Sequence, residues 1–284
     1  MRLIITGASG FLGRTLAAFF GEVTLVTRAN GGWERLPALL EGSDAVINLA
    51  GRSVNCRYNA ANRAEIYASR LDTTRALGEA IAACKRPPRV WLNASSATLY
   101  RHALDRPMDE LTGELGTEFS VDVVERWEQA LAEAQTPRTR KVALRMAMVM
   151  GRESGGVFDA FRSLARAGLA GPMAGGAQYV SWIHAQDCCR AIAFLIEHDA
   201  LSGAVNLAAP NPLPNREFLA QLRRAVGMPL GLPTARWMLE VGAWLRQTET
   251  ELLLKSRRVV PTRLLKAGFT FQYPTWPDAL KELC

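Results

Sequence analysis

The chain has 284 residues, is 49% hydrophobic and carries a formal net charge of +7 at pH 7. This length and apolar content suffice to bury a large core, as one large domain or as two lobes. No stretch of about 18 apolar residues occurs, so no transmembrane helix and no membrane partner are predicted. The basic residues are spread along the chain instead of forming a patch, so no nucleic-acid partner is expected.

The five cysteines are odd in number and scattered, apart from the adjacent Cys188 and Cys189. Such usage suits free thiols in a reducing compartment, so we expect a cytoplasmic protein. The adjacent pair, which lacks a C-x-x-C spacing, is typical of small apolar residues packed in a helix. No group of histidine, cysteine and carboxylate residues has the spacing of a metal site, and no metal is predicted.

A glycine-rich turn follows the first predicted strand, over residues 2–6. The spacing G-x-x-G-x-x-G suits a pyrophosphate cradle, in which Gly7 permits a tight turn, Gly10 lets the backbone approach the phosphates and Gly13 packs the helix closely on the strand. The start of that helix would direct unpaired N–H groups at the anion. The alternative for a glycine triplet alone is a turn without a ligand. The predicted contacts in this turn are Gly7, Ser9, Gly10, Phe11, Leu12 and Gly13.

The end of the second strand indicates which dinucleotide is bound. Residues 11–20 have the apolar spacing of a helix and residues 23–27 read as a strand, which completes a βαβ unit. In such units a carboxylate about 20 residues past the glycines binds the ribose hydroxyl of NAD. Here Arg28 follows the strand and no carboxylate is present, so Arg28, with Arg14 as a second ligand, would bind a 2′-phosphate and favour NADP(H). The alternative is that both arginines are ordinary solvated residues.

Strand-like and helix-like segments continue to alternate, which predicts an α/β fold with a doubly wound parallel sheet. The third strand ends in Leu49-Ala50-Gly51, where little side-chain bulk lets a dinucleotide lie across the strand end. Up to residue 150 the predicted elements are a helix over 33–40, a strand over 44–51, a helix over 60–84, a strand over 90–96, a helix over 118–134 and a strand over 142–150. Beyond it they are a strand over 179–184, a helix over 187–197, a strand over 204–208 and mainly helix from residue 218.

With these segments, the chain resembles the extended short-chain dehydrogenase/reductase superfamily, and more narrowly its branch of epimerase family proteins with a C-terminal domain of unknown function. The resemblance covers nearly the whole chain. The residues that carry it are Thr6 to Gly13, Asn48-Leu49-Ala50-Gly51, Ser69 to Leu77, Ser181-Trp182-Ile183-His184 with Asp187, Val205-Asn206-Leu207, Ala209 to Pro212, Arg263 to Phe269 and Tyr273-Pro274.

The resemblance implies a Rossmann lobe that binds NADP(H) and a smaller, mainly helical C-terminal substrate lobe. We expect residues 1–150 with about 178–208 in the Rossmann lobe, and 151–177 with 209–284 in the substrate lobe, including a small C-terminal domain at about 233–282. The superfamily often dimerises through two long helices, here about 60–84 and 118–134, so a homodimer is an implied possibility.

The catalytic motif of the superfamily is missing at the expected place in this chain. Its reductases and epimerases use Tyr-x-x-x-Lys on the helix after the fourth strand, with a serine or threonine at that strand's end. The helix here begins Glu118-Phe119-Ser120-Val121-Asp122-Val123 and contains neither tyrosine nor lysine. Ser95 or Ser96 can fill the serine role, and we assign Ser95. Tyr100, on the loop that follows, is the predicted proton donor; the alternative is that its ring only packs.

Other polar residues leave more than one interpretation open. His184 is either a proton donor or, as we expect, an anchor or cap for the next helix. Arg70 and Asp72 either pair or line the cleft, and we expect a structural role. Asn93 has the position to hold a substrate or water.

These residues favour an NADP(H)-dependent oxidoreductase or epimerase-like protein that acts on a small hydroxyl or carbonyl substrate. The absent Tyr-x-x-x-Lys supports an alternative from another class, a non-catalytic NADP(H)-binding redox sensor or interaction module. Nucleotide-sugar epimerisation is a weaker third possibility, since it normally needs that tyrosine and prefers NAD.

Overall fold

The computed structural model describes residues 1–27, 29–238, 240, 249 and 251–284. Its centre is a parallel sheet of six strands in the order β2-β1-β3-β4-β5-β9. These strands are β1 (Leu3–Thr6), β2 (Thr24–Val26), β3 (Ala45–Asn48), β4 (Val90–Ser96), β5 (Arg140–Met146) and β9 (Gly203–Leu207). Two smaller sheets pair β6 (Met148–Met150) with β8 (Trp182–His184), and β7 (Tyr179–Val180) with β10 (Leu213–Pro214).

Helices cover both faces of the central sheet, which confirms the predicted Rossmann-type, doubly wound α/β fold. Because side chains alternate along a strand, Leu3 and Ile5 pack in the core cluster that contains Ile192, whereas Ile4 packs in the cluster that contains Leu77, on the other face of the sheet. The described helices are α1 (Phe11–Phe20), α2 (Leu36–Leu40), α3 (Ala60–Ala82), α4 (Phe119–Glu133), α5 (Val157–Arg166), α6 (Ala185–Glu197), α7 (Asn215–Ala225), α8 (Glu251–Leu254), α9 (Thr262–Lys266) and α10 (Trp276–Leu283).

The predicted single strand over 142–150 is wrong, because the chain changes its partner at Ala147. Met146 pairs with Leu207 in the central sheet, whereas Met148 pairs with Trp182 in a separate sheet. The backbone N–H of Ala147 still donates to Leu207, so this residue is the hinge between β5 and β6. The predicted strand over 179–184 is divided for the same reason, into β7 and β8.

A second core lies between the C-terminal helices and β8. Trp276 of α10 stacks on Phe218 of α7, with 4.2 Å between ring centroids, and its indole N–H donates to the Phe218 carbonyl. Trp182 packs on the same indole at 5.0 Å. This aromatic cluster fixes the C-terminal helix to the segments that follow the central sheet. None of the helices in the described parts of the chain has the length and apolar character needed to cross a membrane.

Candidate functional site

The turn after β1 lies at the point where the strand order reverses, between β1 and β3. Gly7 has a φ of +70°, and a Cβ placed on it would lie 2.5 Å from the backbone nitrogen of Ala50. A Cβ on Gly13 would lie 2.6 Å from the Cα of Ala8. Both glycines are therefore required by the packing of the protein itself, which joins the first turn to the end of β3.

Gly10 differs from these two glycines. Its φ of −75° is open to any residue, and the one atom of the described chain within 4 Å of a Cβ there would be the Gly7 carbonyl oxygen, at 3.8 Å. Gly10 caps α1 without a side-chain hydrogen bond, and the first turn of that helix contains no acidic residue. The open space in front of Gly10 and the uncapped helix start fit a pyrophosphate group, since an anion there would accept N–H bonds and meet the positive end of the helix dipole.

The other predicted contacts surround this turn. Ser9 is exposed, and Phe11 and Leu12 are half-buried at the start of α1. On the β3 side of the strand-order reversal lie the three residues that follow the strand, Leu49, Ala50 and Gly51. Arg28 lies outside the described residues, so its role as a 2′-phosphate ligand stays a prediction.

Arg14 fastens a second loop to the glycine turn. Its guanidinium donates to the carbonyl oxygens of Ser9, at 2.7 Å, and Ser154, at 2.9 Å. The ring of Phe11 lies under the same loop, since a Cβ on Gly151 would come within 2.9 Å of it. Arg14 therefore has a structural task in addition to the phosphate contact predicted for it.

The geometry disfavours Ser95 and Tyr100 as the catalytic pair. The Ser95 hydroxyl donates to Glu128, and Arg145 holds that carboxylate with two hydrogen bonds of 2.8 and 2.7 Å. Tyr100 is 1% exposed; its hydroxyl accepts from Arg145 at 3.0 Å and donates to Asn206 at 2.9 Å. Burial raises the pKa of the Tyr100 hydroxyl, although Arg145 acts against this. Both hydroxyls are thus committed to a buried network that joins β4, β5, α4 and β9.

Two residues with open interpretations also have structural tasks. Asn93 accepts from Asn48 at 2.7 Å and from the indole of Trp91 at 3.2 Å, within a buried polar network across the sheet. His184 caps α6, as expected, because its Nδ1 accepts from the backbone N–H of Gln186. Its Nε2 lies 2.9 Å from Glu282 of α10.

A cavity of ≈ 90 Å³ opens at the carboxyl end of β4, between α3 and α4. Ser96, the neighbour of Ser95, lies in its wall, because adjacent residues of a strand point to opposite sides. The volume has room for several water molecules, or for a small organic molecule. The polar side chains of its wall are Tyr58, Arg70, Ser96, Thr98 and Ser120, with the indole of Trp127 and apolar side chains around them.

Tyr58 brings an unused hydroxyl to this cavity. Within the described residues the buried hydroxyl oxygen has no hydrogen-bond partner. The backbone around it is well held, since its N–H donates to Glu249 at 3.0 Å and the next residue, Asn59, caps α3. Burial raises the pKa of the Tyr58 hydroxyl to about 12, so the phenol is protonated at neutral pH.

Arg70 lines the same cavity, the alternative left open by the sequence, and also makes contacts within the protein. Its guanidinium stacks on Trp127, 5.1 Å from the ring centroid, and donates to the Ile66 carbonyl at 3.2 Å. Burial lowers the pKa of Arg70 to about 10. Asp72 does not pair with it; this residue is exposed and lies 3.9 Å from Arg75.

Arg70 also lies between the cavity and the residues that follow β3, next to the glycine turn. A Cβ on Gly51, after β3, would lie 3.5 Å from the Cγ and Cζ atoms of Arg70. The cavity and the residues that follow β3 therefore meet at this guanidinium. Sequence reasoning missed Tyr58, which precedes a helix cap and has no local pattern that separates it from a surface tyrosine.

The sheet order and the glycine turn at the strand-order reversal define a Rossmann-fold protein. The profile of the NAD dependent epimerase/dehydratase family matches residues 3–208, and a domain of unknown function, DUF1731, matches residues 234–283. The chain belongs to this epimerase/dehydratase family, as its motifs predicted.

Relatives share both parts of the chain. Epimerase family protein SDR39U1 of Bos taurus is 33% identical over 296 residues, covering 100% of this chain and 99% of that protein. The crystal structure of human SDR39U1 (isoform2) with NADPH is 30% identical, covers 100% and 99% of the two chains, and has a TM-score of 0.89. A dTDP-4-dehydrorhamnose reductase from Bacillus anthracis, in complex with NADP, is 18% identical with a TM-score of 0.77, which shows the common fold alone.

Proposed function

We propose that this protein is an NADP(H)-dependent oxidoreductase that interconverts a small carbonyl compound and its alcohol in the cavity at the end of β4. The observation that carries the proposal is the open space in front of Gly10, because no packing contact among the described residues requires a glycine there. NADPH in the similar human structure supports the choice of cofactor. Gly7, Ser9, Gly10, Phe11, Leu12 and Gly13 would hold the pyrophosphate side, with Arg14, Arg28, Leu49, Ala50 and Gly51 around the nucleoside groups.

Hydride transfer is the chemistry that a nicotinamide supplies when it is bound. The chain must supply the proton, and we assign this role to Tyr58, because its protonated hydroxyl has no partner among the described residues and the side chain lines the cavity. The carbonyl oxygen accepts that proton as hydride reaches the carbonyl carbon, and the phenolate then recovers a proton from solvent. Ser96 can orient the carbonyl oxygen by a second hydrogen bond. We therefore assign the proton donor to Tyr58 and the orienting hydroxyl to Ser96, in place of Tyr100 and Ser95.

A non-catalytic redox sensor remains the second candidate, because Phe119 and Val123 occupy the region in which superfamily enzymes carry tyrosine and lysine. Titration with NADPH and NADH, followed by nucleotide fluorescence, tests the cofactor. A screen of carbonyl compounds for NADPH oxidation then separates the two functions. Binding with turnover supports the oxidoreductase, binding without turnover across the panel supports the sensor, and no binding of NADPH contradicts both.

The expected homodimer, cytoplasmic location and division into two lobes are kept as proposals. The outer groove between α3 and α4 has the small residues Gly78, Ala82, Ala130 and Ala134 in its lining, which suit close packing of a second copy, beside the polar residues Arg75, Glu79, Glu133 and Gln135. Light scattering on the purified protein tests the dimer, and a mass corresponding to one chain would contradict it.

A further inference from the structure

The guanidinium of Arg70 has donors that the described protein does not use. Its one hydrogen bond there goes from one terminal nitrogen to the carbonyl oxygen of Ile66, four residues earlier on α3. An arginine has five N–H donors, so most of them remain available to a molecule in the cavity. No carboxylate within the described ranges forms an ion pair with Arg70.

The Arg70 side chain is half-buried, so its guanidinium has lost part of its hydration. The side chain is confined between Trp127 and the space next to Gly51. A cation that is partly removed from water gains from an anion or from several hydrogen bonds that offset the lost hydration. The aromatic face of Trp127 offsets a part of that loss, but its quadrupole does not replace a counter-ion.

We infer that Arg70 binds a carboxylate group of the substrate, so that the reaction of this site is the interconversion of a small oxo acid and its hydroxy acid. The inference rests on the proposed function and deepens it by naming the substrate class. A guanidinium binds a carboxylate through two parallel N–H bonds, which fixes the orientation of the molecule as well as its position.

The rest of the cavity suits the remainder of such a molecule. Ile66, Phe119 and Val124 offer an apolar wall for a short hydrocarbon chain, and Tyr58, the proposed proton donor, lines the same space. The volume of ≈ 90 Å³ favours a small acid over a bulky one. In the reducing direction hydride adds to the carbonyl carbon and the Tyr58 proton adds to the oxygen, while the carboxylate on Arg70 is unchanged.

The position of Arg70 beside Gly51 offers a competing explanation, in which its anion is a phosphate of the cofactor. The two explanations differ in a measurable way. A substrate contact affects the KM of charged substrates alone, whereas a cofactor contact affects the Kd of NADPH and the turnover of every substrate alike. The variant Arg70→Gln removes the charge, and Arg70→Lys keeps a cation in case the former does not fold. Arg75→Gln is the matched control, because Arg75 lies on the same helix and is exposed.

The test measures NADPH binding by calorimetry and then KM for two oxo acids, pyruvate and levulinate, against the neutral ketones acetone and pentanone. Thermal stabilisation of the cofactor-free protein by levulinate gives a readout that is independent of turnover. We expect wild type to favour the acids, and Arg70→Gln to raise their KM about tenfold or more with the Kd of NADPH unchanged. Arg70→Gln should also lose the stabilisation, whereas Arg70→Lys keeps part of it and Arg75→Gln all of it.

Two results would overturn the inference and leave the proposed function intact. One is equal use of acids and neutral ketones by the wild-type protein. The other is a loss of NADPH affinity in Arg70→Gln, which would assign Arg70 to the cofactor. Absence of NADPH binding by wild type would instead contradict the proposed function, and the inference with it.

Discussion

The ring of Tyr58 packs against the ring of Phe119, with 4.8 Å between their centroids and an angle of 58° between their planes. Phe119 begins α4, the helix on which related reductases and epimerases of the superfamily carry their catalytic tyrosine. Tyr58, in the segment before α3, therefore brings to this cavity a phenolic hydroxyl group that α4 lacks. In the proposed function, this placement would supply a proton donor in a chain without the Tyr-x-x-x-Lys motif.

Replacement of Tyr58 by phenylalanine should lower the turnover of a carbonyl substrate by about 100-fold or more, because a positioned general acid contributes roughly that factor. The melting temperature should hardly change, since the hydroxyl has no partner among the described residues. Steady-state NADPH oxidation and thermal unfolding measure the two effects. Phe119→Tyr in the Tyr58→Phe background should restore part of the turnover.

Tyr100→Phe is the matched control for that experiment. It removes a hydroxyl that is bonded to Arg145 and Asn206, so we expect a loss of about 1–3 kcal/mol in unfolding free energy. Turnover per folded molecule should change little. If Tyr100→Phe abolished turnover and Tyr58→Phe did not, the proton donor would be Tyr100, as the sequence first indicated.

Gly10→Ala should weaken the binding of NADPH at least about tenfold and leave the fold intact, because the new Cβ enters space that the protein leaves open. Gly7→Ala and Gly13→Ala should instead destabilise the protein, since their Cβ atoms would meet backbone atoms at 2.5 and 2.6 Å. Calorimetric titration and urea unfolding separate the two classes. Unchanged affinity in Gly10→Ala would show that no ligand approaches this glycine.

Arg28→Glu should raise the Kd of NADPH about tenfold or more and leave that of NADH nearly unchanged, because a carboxylate repels a 2′-phosphate. Arg14→Ala should reduce stability as well as affinity, since it releases the loop that contains Ser154. Fluorescence titration with both nucleotides measures the selectivity. Equal affinities of wild type for NADPH and NADH would refute the assignment of Arg28.

The pH dependence should follow the Tyr58 hydroxyl. Burial raises its pKa to about 12; Glu251, Cys56 and Glu249 add to the rise and Arg257 opposes it. Carbonyl reduction uses the protonated phenol and should be flat from about pH 7 to pH 10, whereas alcohol oxidation uses the phenolate and should increase with pH. Because the pKa in the folded state exceeds the ordinary value of 10.0, this group also makes folding less favourable above that pH. A fall in the rate of reduction between about pH 7 and pH 10 that persists in Tyr58→Phe would assign the titrating acid to another group and exclude Tyr58 as the donor.

The sequence predicted the first βαβ unit and the sheet well, because their signals are local. The apolar runs at β1 and β4 and the spacing of Gly7, Gly10 and Gly13 each reflect packing within a few residues. Periodicity failed at Ala147, where an apolar run continues although the chain passes from one sheet to another. That change depends on β8 and β9, which come much later in the sequence.

The residues of the cavity were less predictable from the sequence, because they too come together through packing between distant segments. Choosing Ser95 over Ser96 depends on the orientation of the end of β4, which Glu128 of α4 reveals by binding Ser95. Tyr58 and Arg70 are 12 positions apart on the α3 side, and both face α4 only once the helices pack. The local sequence around each of these residues does not indicate that packing.

A crystal structure of the protein with NADPH tests the central claim most directly. The account predicts the pyrophosphate on the backbone N–H groups of residues 10–13 and the nicotinamide ring at the mouth of the cavity, within reach of the Tyr58 hydroxyl. A glycine turn without nucleotide at saturating NADPH, or a nicotinamide ring directed away from Tyr58 and Arg70, would contradict it.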